Sequence, residues 1–249
     1  MHEFSSAAAL YGKGVFTTIS IHERKPLLWE KHWRRLSANA VKLGVDLSEH
    51  SEEATRHELE KAVSFNGLDN GRARLTFFDE TPSSVWTSGG EKQTALRITT
   101  GNFRPLPEIF KLTVSPHHIN TTSPLAGVKS CNYLENLMAF DEAKSRGFDE
   151  AIRLNERGEI ASACMANVFW LKSGKLFTPG LKTGCLAGTT REFVLENIDC
   201  EEVEAGIDEL KNADQMFLTS AGIGIIAVAE FDGRSLASDP HPIIKLWPR

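Results

Sequence analysis

With 249 residues, 41% of them hydrophobic and 24% charged, the chain is long enough to bury one large core or two modest ones. A formal net charge of -5 and the absence of a long Lys/Arg run argue against a nucleic-acid binder, which concentrates positive charge to displace counterions from phosphates. The four cysteines, Cys131, Cys164, Cys185 and Cys200, show no C-x-x-C spacing and are too sparse for a disulfide framework, so they read as reduced thiols of a cytoplasmic protein, with no metal expected.

The opening Met1-His2-Glu3-Phe4-Ser5-Ser6 lacks a basic start followed by an apolar run, and nowhere do roughly eighteen uncharged apolar residues stand together. Neither export nor a membrane span is expected. Residues 14–29, GVFTTISIHERKPLLW, read as two β-branched strands around a charged turn. From Glu30 to Leu43 the positions Trp33, Leu36, Ala40 and Leu43 recur at helical spacing, and a second helix is predicted over Ser51–Ser64, with Ser51 as N-cap. Strands at Arg72–Phe78 and Ala95–Thr100 complete a small α+β domain, residues 1–106, closed by the breaker Arg104-Pro105-Leu106-Pro107.

Residues 107–249 read as a larger domain. It opens with a strand at Phe110–Ser115 and a loop at Asn120–Gly127. A helix over Tyr133–Gly147 follows, carrying Leu134, Leu137 and Met138 on successive turns. Strands are predicted at Glu150–Leu154, as one long run at Ile160–Leu171, and at Lys175–Thr178, the last two joined by the tight turn Lys172-Ser173-Gly174. A helix starts near Thr189, and Gln215–Thr219 with Ile223–Val228 read as paired strands.

Several residues could carry chemistry, each with a plainer alternative. Lys129 lies between a Pro/Gly loop and a helix, where a lysine is usually just solvated. Gly188-Thr189-Thr190-Arg191 enters a helix whose free N–H groups favour an anion, and a simple N-cap reads equally well. Thr219-Ser220, after an apolar strand, is a second such hydroxyl cluster. Arg35 follows His32 by three positions on neighbouring helix faces, and a helix arginine is most often an ion-pair partner. Asn167 is an amide inside an apolar strand, which must find hydrogen-bond partners and could do so by satisfying a local kink.

Together these pieces resemble the class IV pyridoxal-phosphate enzymes, which include branched-chain and D-amino-acid aminotransferases and 4-amino-4-deoxychorismate lyase. The resemblance covers most of the chain. It runs from Tyr11-Gly12-Lys13-Gly14-Val15-Phe16-Thr17-Thr18 through His32-Trp33-Arg34-Arg35-Leu36 to Lys129-Ser130-Cys131-Asn132-Tyr133 and Phe148-Asp149-Glu150-Ala151. It continues in Asn167-Val168-Phe169, Thr178-Pro179 and Leu186-Ala187-Gly188-Thr189-Thr190-Arg191. It implies an α+β fold of fold-type IV, a small domain and a larger one with a pseudo-barrel sheet, pyridoxal 5'-phosphate as cofactor, and a homodimer. The chain begins close to the Tyr11 motif, so the first strand of many relatives is expected to be absent.

Residue by residue, the resemblance makes Lys129 the lysine that bonds the cofactor and shuttles protons, and Arg35 the arginine that meets its phosphate. Gly188, Thr189 and Thr190, with Thr219 or Ser220, match the phosphate cup, and Tyr133 the neighbour of the ring's phenolic oxygen. Ser162 is the departure. It stands five residues before Asn167, where family members carry a glutamate that keeps the pyridine nitrogen protonated. Glu159, three positions away on one strand, is expected to face the other way.

Without that carboxylate the ring is a weaker electron sink. Transamination should suffer most, and an elimination driven by aromatisation of its product least. The lyase branch is therefore expected: release of pyruvate and 4-aminobenzoate, a folate precursor, from aminodeoxychorismate. Phe16-Thr17-Thr18, where aminotransferases more often carry Phe-Glu, points the same way. The alternatives are a transaminase of branched-chain or D-amino acids and a cofactor-binding homologue without catalysis.

Overall fold

A computed structural model describes residues 5–84, 87–88 and 91–248. The start of the chain, Met1–Phe4, on which the reading of its N-terminus partly rests, lies outside the described residues. The chain forms two compact units. The first holds the described residues up to Phe103 together with Val128–Tyr133, and the second holds Arg104–Gly127 and Leu134 onward. The sequence suggests one break after residue 106; the contacts divide the chain at 103/104 and return a six-residue segment, the one carrying Lys129, to the first unit.

The first unit contains, in chain order, β1 (Ser5–Ser6), α1 (Ala7–Tyr11), β2 (Gly14–His22), β3 (Lys25–Pro26), α2 (Trp29–Leu43), α3 (Glu52–Phe65), β4 (Gly71–Asp79), β5 (Pro82–Ser84), β6 (Thr87–Ser88) and β7 (Thr94–Gly101). Antiparallel β3-β2-β4-β7 form the main sheet, and β1-β5-β6 a small one. The charged turn of the β2–β3 hairpin places Glu23 and Arg24 at positive φ. Helices α2 and α3 bury Leu36, Ala40, Leu59 and Val63, as their spacing predicts, against Ile19, Ile21, Leu75 and Phe77 of the sheet. With them goes Trp29, which the sequence reading places in the preceding strand pair and which instead opens α2. Ser51 caps α3, its side chain accepting from Ala54 N at 3.2 Å.

The second unit runs β8 (Lys111–Val114), α4 (Leu134–Ser145), β9 (Glu150–Leu154), β10 (Ile160–Ala163), β11 (Asn167–Lys172), β12 (Lys175–Pro179), α5 (Thr189–Asn197), β13 (Glu201–Val203), α6 (Asp208–Lys211), β14 (Gln215–Ser220), β15 (Gly224–Val228), β16 (Glu230–Phe231) and β17 (Arg234–Ser235). Two five-stranded sheets result, β10-β9-β8-β16-β17 and β13-β12-β11-β14-β15. Their shared core joins Leu112, Ile152 and Ile160 of one to Val168, Trp170, Met216 and Leu218 of the other.

The single strand predicted at Ile160–Leu171 is in fact two, β10 and β11, which belong to different sheets. The corner Cys164-Met165-Ala166 is apolar, so the hydrophobic run conceals it. Helix α4 also differs from its reading. Its inward face is Ala139 and Ala143, packed with Ala151 and Cys164, while Leu134, Leu137 and Met138 are exposed. No described helix is long and apolar enough to cross a membrane.

Candidate active site

In the first unit, Lys129–Cys131 lies along the start of β2: Phe16 N donates to Lys129 O (3.1 Å) and Cys131 N to Gly14 O (2.9 Å). Gly14 allows this approach, since a Cβ there would meet Phe77 O at 2.7 Å and Cys131 Sγ at 3.0 Å. The half-buried Lys129 carries its Nζ 4.5 Å from the ring centres of both Phe16 and Tyr133, and donates to Tyr133 Oη at 3.0 Å. Phe16 and Tyr133 meet edge to face, which fixes both. Burial, then the charges of Arg35 and Arg74, hold the lysine well below its usual pKa. The shift makes the amine easier to deprotonate than an ordinary lysine, which favours its use as nucleophile or base.

Arg35 and His32 share one partner. Arg35 donates to Thr17 Oγ1 (3.0 Å), and Thr17 Oγ1 lies 2.7 Å from His32 Nδ1. Burial, with Arg35 and Lys129 adding to it, pushes His32 well below its normal pKa. A neutral imidazole accepting the threonine proton at Nδ1 satisfies both contacts and puts the ring proton on Nε2. Thr17, where the resemblance leads one to expect glutamate in an aminotransferase, thus offers the guanidinium a hydroxyl.

In the second unit, α5 begins at Gly188, with no side-chain cap. Gly188 touches Asn167: a Cβ would stand 1.9 Å from Asn167 Oδ1. Asn167 Nδ2 donates to Leu186 O at 2.9 Å, so the amide flagged by sequence ties down the loop entering α5. Its cross-strand partner on β14 is Thr219. Asn167 thus links the two hydroxyl clusters. Thr189 is buried, and Thr190 Oγ1 and Thr219 Oγ1 are buried without a hydrogen-bond partner, while Ser220 at the end of β14 is half-buried. Orphan atoms occur elsewhere, at Ser20 and Asn39 for example, so the informative fact is that Thr219 is the cross-strand partner of Asn167 while Thr190 lies in the first turn of the helix whose N-cap, Gly188, Asn167 touches. This donor set fits a phosphate. Arg191, by contrast, is structural, donating to Pro179 O and pairing with Glu202.

Ser162 is buried on β10, directly opposite Arg153 of β9. A β-bulge between Ile160 and Ser162 breaks the alternation, so the odd offset from Glu159 does not by itself set the faces apart. Glu159 is committed elsewhere: Asn155 Nδ2 (2.7 Å) and Arg157 (2.6 Å) donate to it. It does not replace the missing carboxylate, for this reason rather than by parity. Glu150 is the buried carboxyl of this region. It accepts from the N–H groups of Ala151, Cys164 and Met165, and burial outweighs those bonds to push its pKa up to about 7.

Sequence reading did not single out Thr17, Arg74, Glu150 or Arg153 as individual functional residues. Their significance comes from register and burial, which a linear pattern does not display.

A small α+β unit joined to a two-sheet unit, with a buried-amine lysine in one and a hydroxyl-lined helix N-terminus in the other, defines a fold-type IV enzyme. Comparison agrees: the family model for amino-transferase class IV matches residues 14–231, and the chain belongs to that family. It is similar to an aminodeoxychorismate lyase of Bacillus subtilis (strain 168), at 29% identity over 90% of this chain and 79% of the relative. It is likewise similar to a D-alanine aminotransferase of Bacillus licheniformis, at 28% identity over 94% and 85%. A solved branched-chain aminotransferase from Thermoproteus uzoniensis, with norvaline, superimposes with a TM-score of 0.88 at 27% identity, covering 97% of this chain and 85% of that one.

Proposed function

We propose that this protein is a pyridoxal-phosphate-dependent lyase that splits 4-amino-4-deoxychorismate into 4-aminobenzoate and pyruvate. The observation that carries the reading is Ser162, a buried hydroxyl where a carboxylate would be needed to sustain a strong electron sink. The similarity to a lyase at 29% identity supports it, and Thr17 in place of glutamate agrees.

The cofactor, when bound, supplies an aldehyde carbon for the amine of lysine or substrate and a conjugated ring that accepts electron density. The chain's own residues do the rest. Lys129 would hold the cofactor through Nζ, and the same amine would take the proton from the amine-bearing ring carbon of the substrate. Its lowered pKa makes the lone pair more available than on an ordinary lysine. Tyr133, 3.0 Å from Nζ, orients the amine. Gly188, Thr189, Thr190, Thr219 and Ser220 would hold the phosphate, with Asn167 fixing that segment; by the resemblance Arg35 would also meet the phosphate and Ser162 would serve the ring nitrogen. Loss of the enolpyruvyl group then aromatises the product, so the carbon–oxygen bond breaks with no net redox change.

Purified protein loaded with pyridoxal phosphate is expected to release pyruvate from aminodeoxychorismate. Lys129→Ala is expected to lower that rate by roughly a thousandfold or more. Undiminished turnover in the variant would sink the assignment.

A further inference from the structure

The second unit contains a buried cation whose role nothing above explains. Arg153 has only 3% of its side chain exposed, and its ion-pair partner, Glu135 at 3.7 Å, is 84% exposed. An exposed carboxylate at that distance neutralises little. The guanidinium is otherwise held by uncharged acceptors: His117 O (3.0 Å), His118 O (2.9 Å) and Asn136 Oδ1 (3.3 Å). Glu150, which also acts on Cys164 together with Arg153, does not cancel the charge, because burial keeps it partly protonated near neutrality. A buried charge without a buried partner is costly, and sites that retain one generally use it.

Its register supplies the use. Arg153 is the residue directly opposite Ser162, and residues so paired across antiparallel strands stand about 5 Å apart at Cβ. The serine that replaces an anion therefore has a fixed cation as its cross-strand neighbour. We propose that Arg153 and Ser162 form one electrostatic unit that holds the ring nitrogen of the bound cofactor unprotonated, Arg153 as the positioning charge and Ser162 as the hydrogen-bond donor. The inference rests on the proposed cofactor reading and extends it. A positive charge opposes a second one forming nearby, and a neutral nitrogen can accept a hydroxyl proton where a pyridinium cannot. It also follows that restoring the carboxylate alone is not enough, because a glutamate at 162 would pair with Arg153 before it served the ring.

The test uses holoprotein reconstituted with pyridoxal phosphate labelled with 15N in the ring, read by NMR at neutral pH, with borohydride trapping on the same samples. The wild type is expected at the free-base position, Ser162→Glu is expected to remain there, and Ser162→Glu with Arg153→Gln is expected to move to the pyridinium position. Glutamine is chosen because it keeps a donor for the His117 and His118 carbonyls. Arg153→Lys, which preserves the charge should the glutamine variant fold poorly, is expected to leave the free-base signal in place when combined with Ser162→Glu. A pyridinium signal in the wild type, or in Ser162→Glu alone, overturns the Arg153 proposal while a trapped Lys129 adduct leaves the cofactor reading standing. Absence of any trapped Lys129 adduct overturns both.

Discussion

The groups around Lys129 in the first unit are largely partnered by one another, whereas two hydroxyls beside α5 and on β14 in the second are not. Around Lys129, the amine meets Tyr133, and Arg35, Thr17 and His32 form a closed chain of contacts. Around α5, Thr190 Oγ1 and Thr219 Oγ1 are buried without partners. The difference teaches that the reactive amine is organised by the protein itself, while the anion cup is paid for in stability until an anion arrives.

Titration should separate the two regions most strongly, because the buried groups whose pKa is displaced, Lys129 in the first and Glu150 in the second, carry charges of opposite sign. Glu150 binds its proton more tightly in the folded chain, so its contribution is fully present below pH 4.5 and is lost as pH rises through about 7, a change of about 3 kcal/mol. Lys129 releases its proton more readily in the folded chain, so stability rises with pH from its depressed folded value toward 10.5. Urea midpoints across pH are expected to lose the acid-side term in Glu150→Gln and the alkaline-side term in Lys129→Met. Curves unchanged by either substitution would contradict the assignments.

Gly188→Ala forces Asn167 off its bond to Leu186 and is expected to cost about 2 kcal/mol, with weaker cofactor retention. Thermal unfolding and cofactor titration check both. Thr17→Val strips the partner from both Arg35 and His32, and a loss of about 1 to 2 kcal/mol is expected even without ligand. Thr190→Val and Thr219→Val should do the reverse to the free protein, stabilising it by about 1 kcal/mol each while weakening cofactor binding. A threonine-to-valine change that destabilised the ligand-free chain in the second unit as it does in the first would erase the distinction between them.

Much of this was legible in the linear sequence where one face of an element is buried. Helices α2 and α3 and the strands β2, β4 and β7 follow directly from apolar spacing. The motif order also brought Lys129, Arg35 and the α5 entry forward as the residues proposed for the site. What escaped is long-range. The corner at Cys164-Met165-Ala166 is as apolar as the strands it separates, so no turn signal marks it. Helix α4 packs through alanines, and its larger apolar side chains misdirect a reading based on size. Arg153 matters only because register sets it against Ser162, and Val128–Tyr133 joins the first unit through backbone bonds to β2 and ring contacts with Phe16. No local pattern encodes those pairings.

The central claim is that a site with a buried lysine of lowered pKa and no carboxylate at Ser162 runs an elimination rather than an amino transfer. It is tested most directly by following holoprotein with aminodeoxychorismate and, separately, with D-alanine or leucine. The account predicts pyruvate and 4-aminobenzoate in equal amounts over many turnovers, and no conversion of the cofactor to its amine form by either amino acid. Rapid formation of that amine form, with no pyruvate released from aminodeoxychorismate, would contradict it.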